Sequence, residues 1–305
     1  MNQSVDELAA SVVVIVRNGA KTIKRQLDAL AAQEDAPPFE ILVVDNGSTD
    51  GTADIVRQWI NNGIGAASRS RIIDASERAG IPYARNTGAK AAQGRLILWC
   101  DADDAVRPEW VKEFCKRVGR GGAGGRILAR RPDGSPDHQA FPNGLTQTEY
   151  FPHGGNCNMA VNREDFLALG GYDESLPPYG CEDVDISWRI AESGLPFTYV
   201  PEAIVDFNIT PRGKAIKKTF RAAKARMAVA IRHPQSLVGR RLDVSTVLGD
   251  VARVTVFLPY RMVRPGNTPR TRWLRNFVAA YGRAAGYWTY GIRKKPTQYI
   301  DQETK

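Results

Sequence analysis

The sequence predicts an α/β protein with a doubly wound, mostly parallel Rossmann-like sheet and a basic helical C-terminal extension. Three observations predict it. Runs of β-branched residues alternate with helical apolar stripes, acidic residues follow two of the predicted strands, and Lys and Arg dominate the last third of the chain. The 43 % hydrophobic content is sufficient for a substantial core. We therefore expect an α/β domain over residues 1–207 and a basic, amphipathic helical region over residues 208–305.

The N-terminal elements alternate strictly between strand and helix. The continuous β-branched run in 11–16 predicts a strand that is buried on both faces, and the apolar spacing of Ile23, Leu27 and Leu30 predicts a helix. The same patterns give strands at 11–16, 39–44, 71–73 and 95–100 and helices at 20–32, 52–60 and 81–92. This order predicts right-handed crossovers and a doubly wound sheet.

The later elements are shorter and less regular. We expect helices at 108–118 and 182–192, a strand at 126–129 within an irregular stretch, and two short strands at 197–200 and 203–207. Apolar residues at helical spacing in 244–258, ending before Pro259, and in 273–288 predict two further helices in the basic region.

Several classes of protein are disfavoured by composition. The chain has no run of 18 apolar residues that could span a bilayer, and its start lacks the pattern of a secretion signal. The four cysteines have no C-x-x-C spacing, which argues against zinc or a disulfide framework. We therefore expect a cytoplasmic protein.

An acidic cluster follows the fourth predicted strand. Asp101, Asp103 and Asp104 place three carboxylates within four residues, and ligands of such sheets gather at the carboxyl ends of the strands. Clustered carboxylates repel one another unless a cation is present, and oxygen ligands suit Mn²⁺ or Mg²⁺ beside a diphosphate. The alternative is a solvated turn that caps the next helix.

Two further positions lie where a nucleotide could bind. Asp45 ends the second strand and could accept hydrogen bonds from a base or ribose, although the Asp45–Gly51 stretch also suits a turn and helix cap. Arg85 opens the helix before the fourth strand and could contact a phosphate. Its alternative is an exposed salt bridge.

A second acidic group opens the predicted helix at 182–192. Glu182, Asp183 and Asp185 lie in its first turn, where the helix dipole stabilises the ionised carboxylate. An ionised carboxylate beside an acceptor hydroxyl can act as a general base. The alternative is that these residues only complement the dipole.

The ordered motifs together resemble family 2 of the inverting glycosyltransferases, which have the GT-A fold. The resemblance is carried by Val12–Asn18, Glu40–Gly51, Ala84–Gly88, Leu96–Asp104 and Gly154–Phe207, the last including the Gly180-Cys181-Glu182-Asp183 motif. It implies a metal-dependent transfer of a sugar from a nucleotide-sugar, most simply a UDP-sugar, to a hydroxyl of a glycan or lipid-linked acceptor.

The resemblance also implies a role for each candidate residue. Asp103 and Asp101 would hold the metal, with Asp101 also near the ribose or sugar. Asp45, Arg85 and Arg17 would lie on the nucleotide side, Asp183 would be the catalytic base, and Glu182 would support it. The family often has a His after the strand that follows this helix, whereas this chain has Asp206-Phe207-Asn208.

The charge of the chain is divided unevenly. Residues 1–206 contain 21 Lys and Arg against 29 Asp and Glu, whereas residues 207–305 contain 21 against 4. Arg-flanked apolar stripes in 212–290 suit an anionic membrane surface, although both stripes could instead pack on the catalytic domain. Two other functions remain open: a metal-dependent nucleotidyltransferase, and a nucleic-acid-binding protein that uses the basic region. We expect no nucleic-acid partner.

Overall fold

The computed structural model describes residues 7–131, 134–137, 141–178, 180–209, 215–240, 242–263 and 270–300. They form two compact units. Unit 1 comprises the described residues of Met1–Tyr172, Ile186–Pro211 and Tyr299–Lys305, and unit 2 those of Asp173–Asp185 and Arg212–Gln298. The boundary at 207/208 stays a prediction.

Unit 1 contains an eight-stranded mixed sheet in the order β3-β2-β1-β4-β7-β6-β8-β5. Its first four strands in this order are mutually parallel, as predicted, and β7 joins β4 antiparallel. The strands are β1 (Ala10–Val16), β2 (Phe39–Asp45), β3 (Arg69–Asp74), β4 (Leu96–Asp101), β5 (Ala105–Val106), β6 (Gly122–Arg130), β7 (Asn158–Asn162) and β8 (Phe197–Asn208).

The helices of unit 1 connect these strands. They are α1 (Ile23–Ala31), α2 (Thr52–Asn61), α3 (Ile81–Ala91), α4 (Trp110–Arg117) and α5 (Arg163–Ala168). Helix α6 (Glu182–Glu192) begins in the segment that belongs to unit 2 and continues into unit 1. The predicted helices at 20–32 and 108–118 are therefore shorter than expected at both ends.

The central strands are buried on both faces, as their β-branched runs predict. Along β1, Val12 and Val14 belong to one hydrophobic cluster and Val13 to the other. Leu98 and Trp99 of β4 alternate in the same way. Successive strand side chains point to opposite faces, so helices cover both sides of the sheet and its carboxyl edge is left for ligands.

Two further sequence expectations were wrong in detail. The strands predicted at 197–200 and 203–207 are one strand, β8, whose pairing with β6 shifts register between Gly125 and Arg126. This bulge accommodates Pro201, which has no N–H to donate. The second error concerns the helix expected to end before Pro259, which instead continues to Val263 as α9.

Unit 2 consists of helices together with residues 173–185. Its helices are α7 (Ala215–Arg232), α8 (Leu237–Arg240), α9 (Val244–Val263) and α10 (Arg270–Gly286), followed by a π-helical turn at Tyr287–Ile292. Helix α10 packs so closely on α7 that a Cβ on Gly282 would lie only 2.6 Å from the Phe220 carbonyl oxygen. Among the described residues, no helix combines the length and apolar character needed to cross a bilayer.

Candidate active site

The candidate donor residues lie together at the carboxyl edge of the sheet. In the β1–β2 register Val16 is opposite Asp45, and in the β1–β4 register Ile15 is opposite Asp101. Parallel strands end at the same edge, so the ends of β1, β2 and β4 are adjacent. The structure therefore brings Asp45, Asp101 and the Arg17 backbone to one edge.

The acidic cluster has the composition of a cation site. Carboxylate oxygens of Asp101, Asp103 and Asp104 lie within 4.8 Å of one another. Asp103 is exposed and Asp104 is buried, and the Asp104 Oδ2 atom has no hydrogen-bond partner among the residues that the structure describes. Burial, with the nearby Asp101 charge, raises the pKa of Asp104 to about 8. A divalent cation with oxygen ligands fits this arrangement.

Arg85 binds the acidic cluster from inside the protein. Its side chain is 3 % exposed, and its Nη2 atom donates to Asp101 Oδ1 at 3.1 Å. The same guanidinium lies 5.6 Å from the Trp99 ring centroid and donates from Nη1 to the Asn156 carbonyl oxygen at 3.4 Å. The alternative of an exposed salt bridge is therefore wrong for the guanidinium, which is buried, whereas the Asp101 carboxylate that it holds is 33 % exposed.

Asn208 also reaches the acidic cluster, which the sequence interpretation did not anticipate. The two-residue strand β5 begins directly after Asp104 and pairs with the end of β8, with Ala105 opposite Asp206. This pairing lets the Asn208 backbone N–H donate to Asp104 Oδ1 at 2.9 Å, and the Asn208 amide donates to the Asp103 carbonyl oxygen. The sequence signal that could have indicated this contact is the position of Asn208 at the end of a predicted strand.

The loop after β2 is held to the loop after β1. Ser48 N–H donates to Asp45 Oδ1 at 2.8 Å, and Asn18 N–H donates to the Ser48 hydroxyl at 2.9 Å. Asn18 has a φ of 58°, a left-handed conformation that Asn tolerates better than most residues. The turn interpretation of Asp45 therefore holds. Arg17 is exposed beside this turn.

The second acidic group lies in unit 2 at the start of α6. Gly180 and Cys181 precede the helix with φ values of 104° and 68°, and Gly180 N–H donates to Glu182 Oε2 at 3.2 Å. Glu182 is buried, whereas Asp183 is partly exposed. Burial raises the pKa of Cys181 to about 12, so its thiol stays protonated and is not a nucleophile.

Helix α7 and the following residues hold this part of the chain, the 173–185 segment. His233 Nε2 lies 3.1 Å from Asp185 Oδ1, and both side chains are buried. Arg232, the last residue of α7, donates from Nε to Asp173 Oδ2 at 3.2 Å. Lys295 Nζ donates to the Ser175 carbonyl oxygen at 2.7 Å. The C-terminal region thus fixes the segment that contains Glu182 and Asp183.

Comparison with known proteins identifies the type of site. Residues 11–164 match the model of glycosyl transferase family 2, and residues 143–212 match the model described as the N-terminal domain of galactosyltransferase. The first match covers both Asp45 and the acidic cluster, and the second covers Glu182 and Asp183.

Curated relatives include glycosyltransferases over the full chain length. Glycosyltransferase AglE of Haloferax volcanii is 27 % identical over 93 % of this chain and 97 % of its own length. Validoxylamine A glucosyltransferase of Streptomyces hygroscopicus subsp. limoneus is 26 % identical, and that match covers 63 % of this chain and 50 % of the relative.

Solved structures show the same fold. The mannosyltransferase PcManGT from Pyrobaculum calidifontis, in complex with GDP-Man and Mn²⁺, superposes with a TM-score of 0.58 at 18 % identity, covering 95 % of this chain and 88 % of the other. GalNAc-T7 with UDP, GalNAc and Mn²⁺ superposes with a TM-score of 0.60 at 19 % identity, covering 95 % and 58 %. The predicted GT-A architecture is confirmed.

Proposed function

We propose that this chain, which belongs to glycosyl transferase family 2, transfers its sugar by a single displacement that inverts the anomeric carbon. It is a metal-dependent glycosyltransferase that uses a nucleotide-sugar in glycan synthesis. The family match decides against the nucleotidyltransferase interpretation. The observation that supports the proposal best is the presence of two separate acidic groups, one clustered as for a cation and one at a helix start.

The first group is assigned to the donor. Asp103 and Asp101, with the buried Asp104 beside them, would supply oxygen ligands for Mn²⁺ or Mg²⁺. Asp104 Oδ2 fits such an ion, since the described part of the chain offers it no hydrogen-bond partner. A cation held by these carboxylates would supply positive charge against the negative charge of a departing nucleoside diphosphate. Asp45 and Arg17 contact the nucleotide, and Arg85 holds the Asp101 carboxylate in place.

The second group is assigned to the acceptor. Asp183 is the general base that removes the proton from the acceptor hydroxyl while the hydroxyl oxygen attacks the anomeric carbon. Its partly exposed position in the first turn of α6 supports this role, because an acceptor can reach the carboxylate. Glu182 is buried and accepts from Gly180 N–H, so it positions the turn that presents Asp183.

A thermal-shift comparison tests the donor assignment. UDP and GDP are each added with Mn²⁺ and with a chelator, since a ligand of the native state raises the unfolding midpoint. We expect a shift that requires the metal, and a larger one for UDP. Absence of a metal-dependent shift with both nucleotides would contradict the donor site.

Two isosteric variants separate the assigned roles. Asp103→Asn should weaken Mn²⁺-dependent nucleotide binding itself, because a ligand charge is lost. Asp183→Asn should keep that binding but reduce transfer by at least about 100-fold, the usual contribution of general base catalysis. Transfer by Asp183→Asn at the parent rate would show that the base assignment is wrong.

The acceptor and the cellular location are further parts of the proposal. A glycan or lipid-linked hydroxyl is the expected acceptor, and the excess of Lys and Arg in residues 207–305 supports peripheral association with an anionic cytoplasmic membrane face. Salt-sensitive binding to vesicles is the corresponding measurement.

A further inference from the structure

Helix α9 exposes a long apolar face to solvent. Val256 is 70 % exposed, Val263 75 % and Leu248 61 %. The exposed large hydrophobic side chains of α9 form what we call the α9 outer face: Val244, Leu248, Val256, Phe257, Tyr260 and Val263. Single exposed apolar side chains are ordinary on protein surfaces, whereas a group of large ones on one helix indicates an interaction site.

The outer face is distinct from the face with which α9 packs in unit 2. Val247 and Val254 are 8 % and 5 % exposed, and they lie seven residues apart on the opposite side of the helix. On the packed side Asp250 Oδ2 accepts from Arg283 Nη2 of α10 at 2.7 Å. Helix α9 is therefore apolar on two sides, and α10 accounts for only one of them.

The region of the chain that contains this apolar face is strongly basic. Residues 212–298 contain 20 Lys and Arg against 2 Asp and Glu. Both acids are used locally, since Asp250 pairs with Arg253 and Arg283, and Asp243 caps α9 by accepting from Thr246 N–H at 2.6 Å. Residues 212–298 therefore carry a large excess of positive charge.

An anionic bilayer is the partner that satisfies both properties. Aliphatic side chains can insert among acyl chains while cations contact anionic headgroups. Nucleic acid would match the positive charge, but proteins bind it through cations on its phosphates and aromatic side chains on its bases. It would leave the exposed valines unused. A second copy of the chain would cover the apolar face but would bring two cationic surfaces together.

We infer that the proposed membrane association, on which this inference rests, occurs through the α9 outer face. This face docks on the surface of an anionic lipid bilayer, with its apolar side chains lying in the interface and Lys and Arg of residues 212–298 contacting headgroups. The helix lies on the bilayer rather than across it, consistent with the absence of a spanning helix among the described residues. The inference does not depend on the residue roles assigned to Asp103 or Asp183.

Vesicle flotation of the full chain tests this inference. The probes are vesicles of phosphatidylcholine alone and of phosphatidylcholine with phosphatidylglycerol. We expect binding to the anionic vesicles, reduced at least about tenfold by Val256→Ser with Val263→Ser, because two exposed apolar side chains no longer insert. The matched control is Val238→Ser, an exposed valine on α8, which should bind as the parent does.

A second variant separates charge from apolar insertion. Arg272→Gln with Arg275→Gln should weaken binding by about fivefold per residue and reduce its salt dependence. Three outcomes would overturn the inference: no binding to anionic vesicles at low salt, binding that the α9 valine variants leave unchanged, or valine variants that change only the oligomeric state.

Folding and donor binding are monitored in the same variants. The substituted side chains are exposed, so the Mn²⁺-dependent thermal shift with UDP should equal that of the parent, which shows that the variants are folded. A parent protein that floats with vesicles but lacks this shift would contradict the proposed donor site and leave the membrane inference supported.

Discussion

Replacing Arg232 with Met removes the guanidinium that joins α7 to the 173–185 segment and keeps an unbranched apolar side chain. The parent Arg232 donates to Asp173 Oδ2 at 3.2 Å, to the Ser175 hydroxyl at 3.1 Å and to the Lys295 carbonyl oxygen at 2.7 Å. Asp173 is fully buried, and Arg232 has a side-chain exposure of 16 %. The variant therefore leaves a buried carboxylate without its cation.

The size of the effect follows from what remains around Asp173. Breaking a buried ion pair by removing one partner costs about 3–5 kcal/mol. Asp173 Oδ1 still accepts from the backbone N–H groups of Ser175 and Gln298, each at 2.9 Å, so we expect the lower end, about 3 kcal/mol. For a chain of this size that lowers the thermal midpoint by about 6 °C.

The assay combines unfolding with function. Calorimetry measures the midpoint, with Arg221→Met on the exposed face of α7 as the matched control, expected to change stability by no more than about 0.5 kcal/mol. We also expect unchanged Mn²⁺-dependent UDP binding and slower transfer, because the segment that contains Asp183 loses support. An Arg232→Met midpoint equal to that of the control would refute the reasoning.

Two other predictions concern unit 1. Gly88→Ala should destabilise the protein by about 1–2 kcal/mol in urea unfolding, because the new Cβ would collide with Val13 and lie 2.9 Å from Val44 Cγ2. The cost of this overpacking exceeds the gain in helix propensity. An unchanged urea midpoint would contradict the prediction. The second prediction follows from burial, which raises the pKa of Asp104 to about 8, above that of the unfolded chain. The unfolded state therefore holds fewer protons between about pH 4 and 8, and stability of the metal-free protein should fall across this window by up to about 1.4 kcal/mol per pH unit. Asp104→Asn should flatten the profile, and an equally steep decline in that variant would show that another group is responsible.

The parts of the fold that could be predicted are those where one local pattern dominates. Strand β1 is recognisable because every residue in 12–16 is β-branched. Strand β7 was missed, because it has only three apolar residues, which lie between an Asn at each end. Its Asn158 is fully buried and accepts from Trp110 Nε1 at 2.7 Å. A polar residue whose hydrogen bonds are made by distant elements resembles a loop residue in the sequence.

The candidate site shows the same division. The acidic cluster lies within one turn, and its position after β4 could be predicted from strand order. The contacts of Arg85 with Asp101 and of Asn208 with Asp104 join residues 16 and 104 positions apart. They arise only from the packing of α3 and the β5–β8 pairing, which no local pattern encodes.

The contacts of the 173–185 segment also determine when this segment can be fixed during synthesis of the chain. Its partners Arg232, His233 and Lys295 lie 59, 48 and 120 residues further along the chain than the residues they hold. A ribosome therefore completes most of the strands of the sheet well before it supplies these anchors. The segment that contains the proposed general base Asp183 is therefore fixed last, and a chain released early carries the acidic cluster at the end of β4 without these anchors.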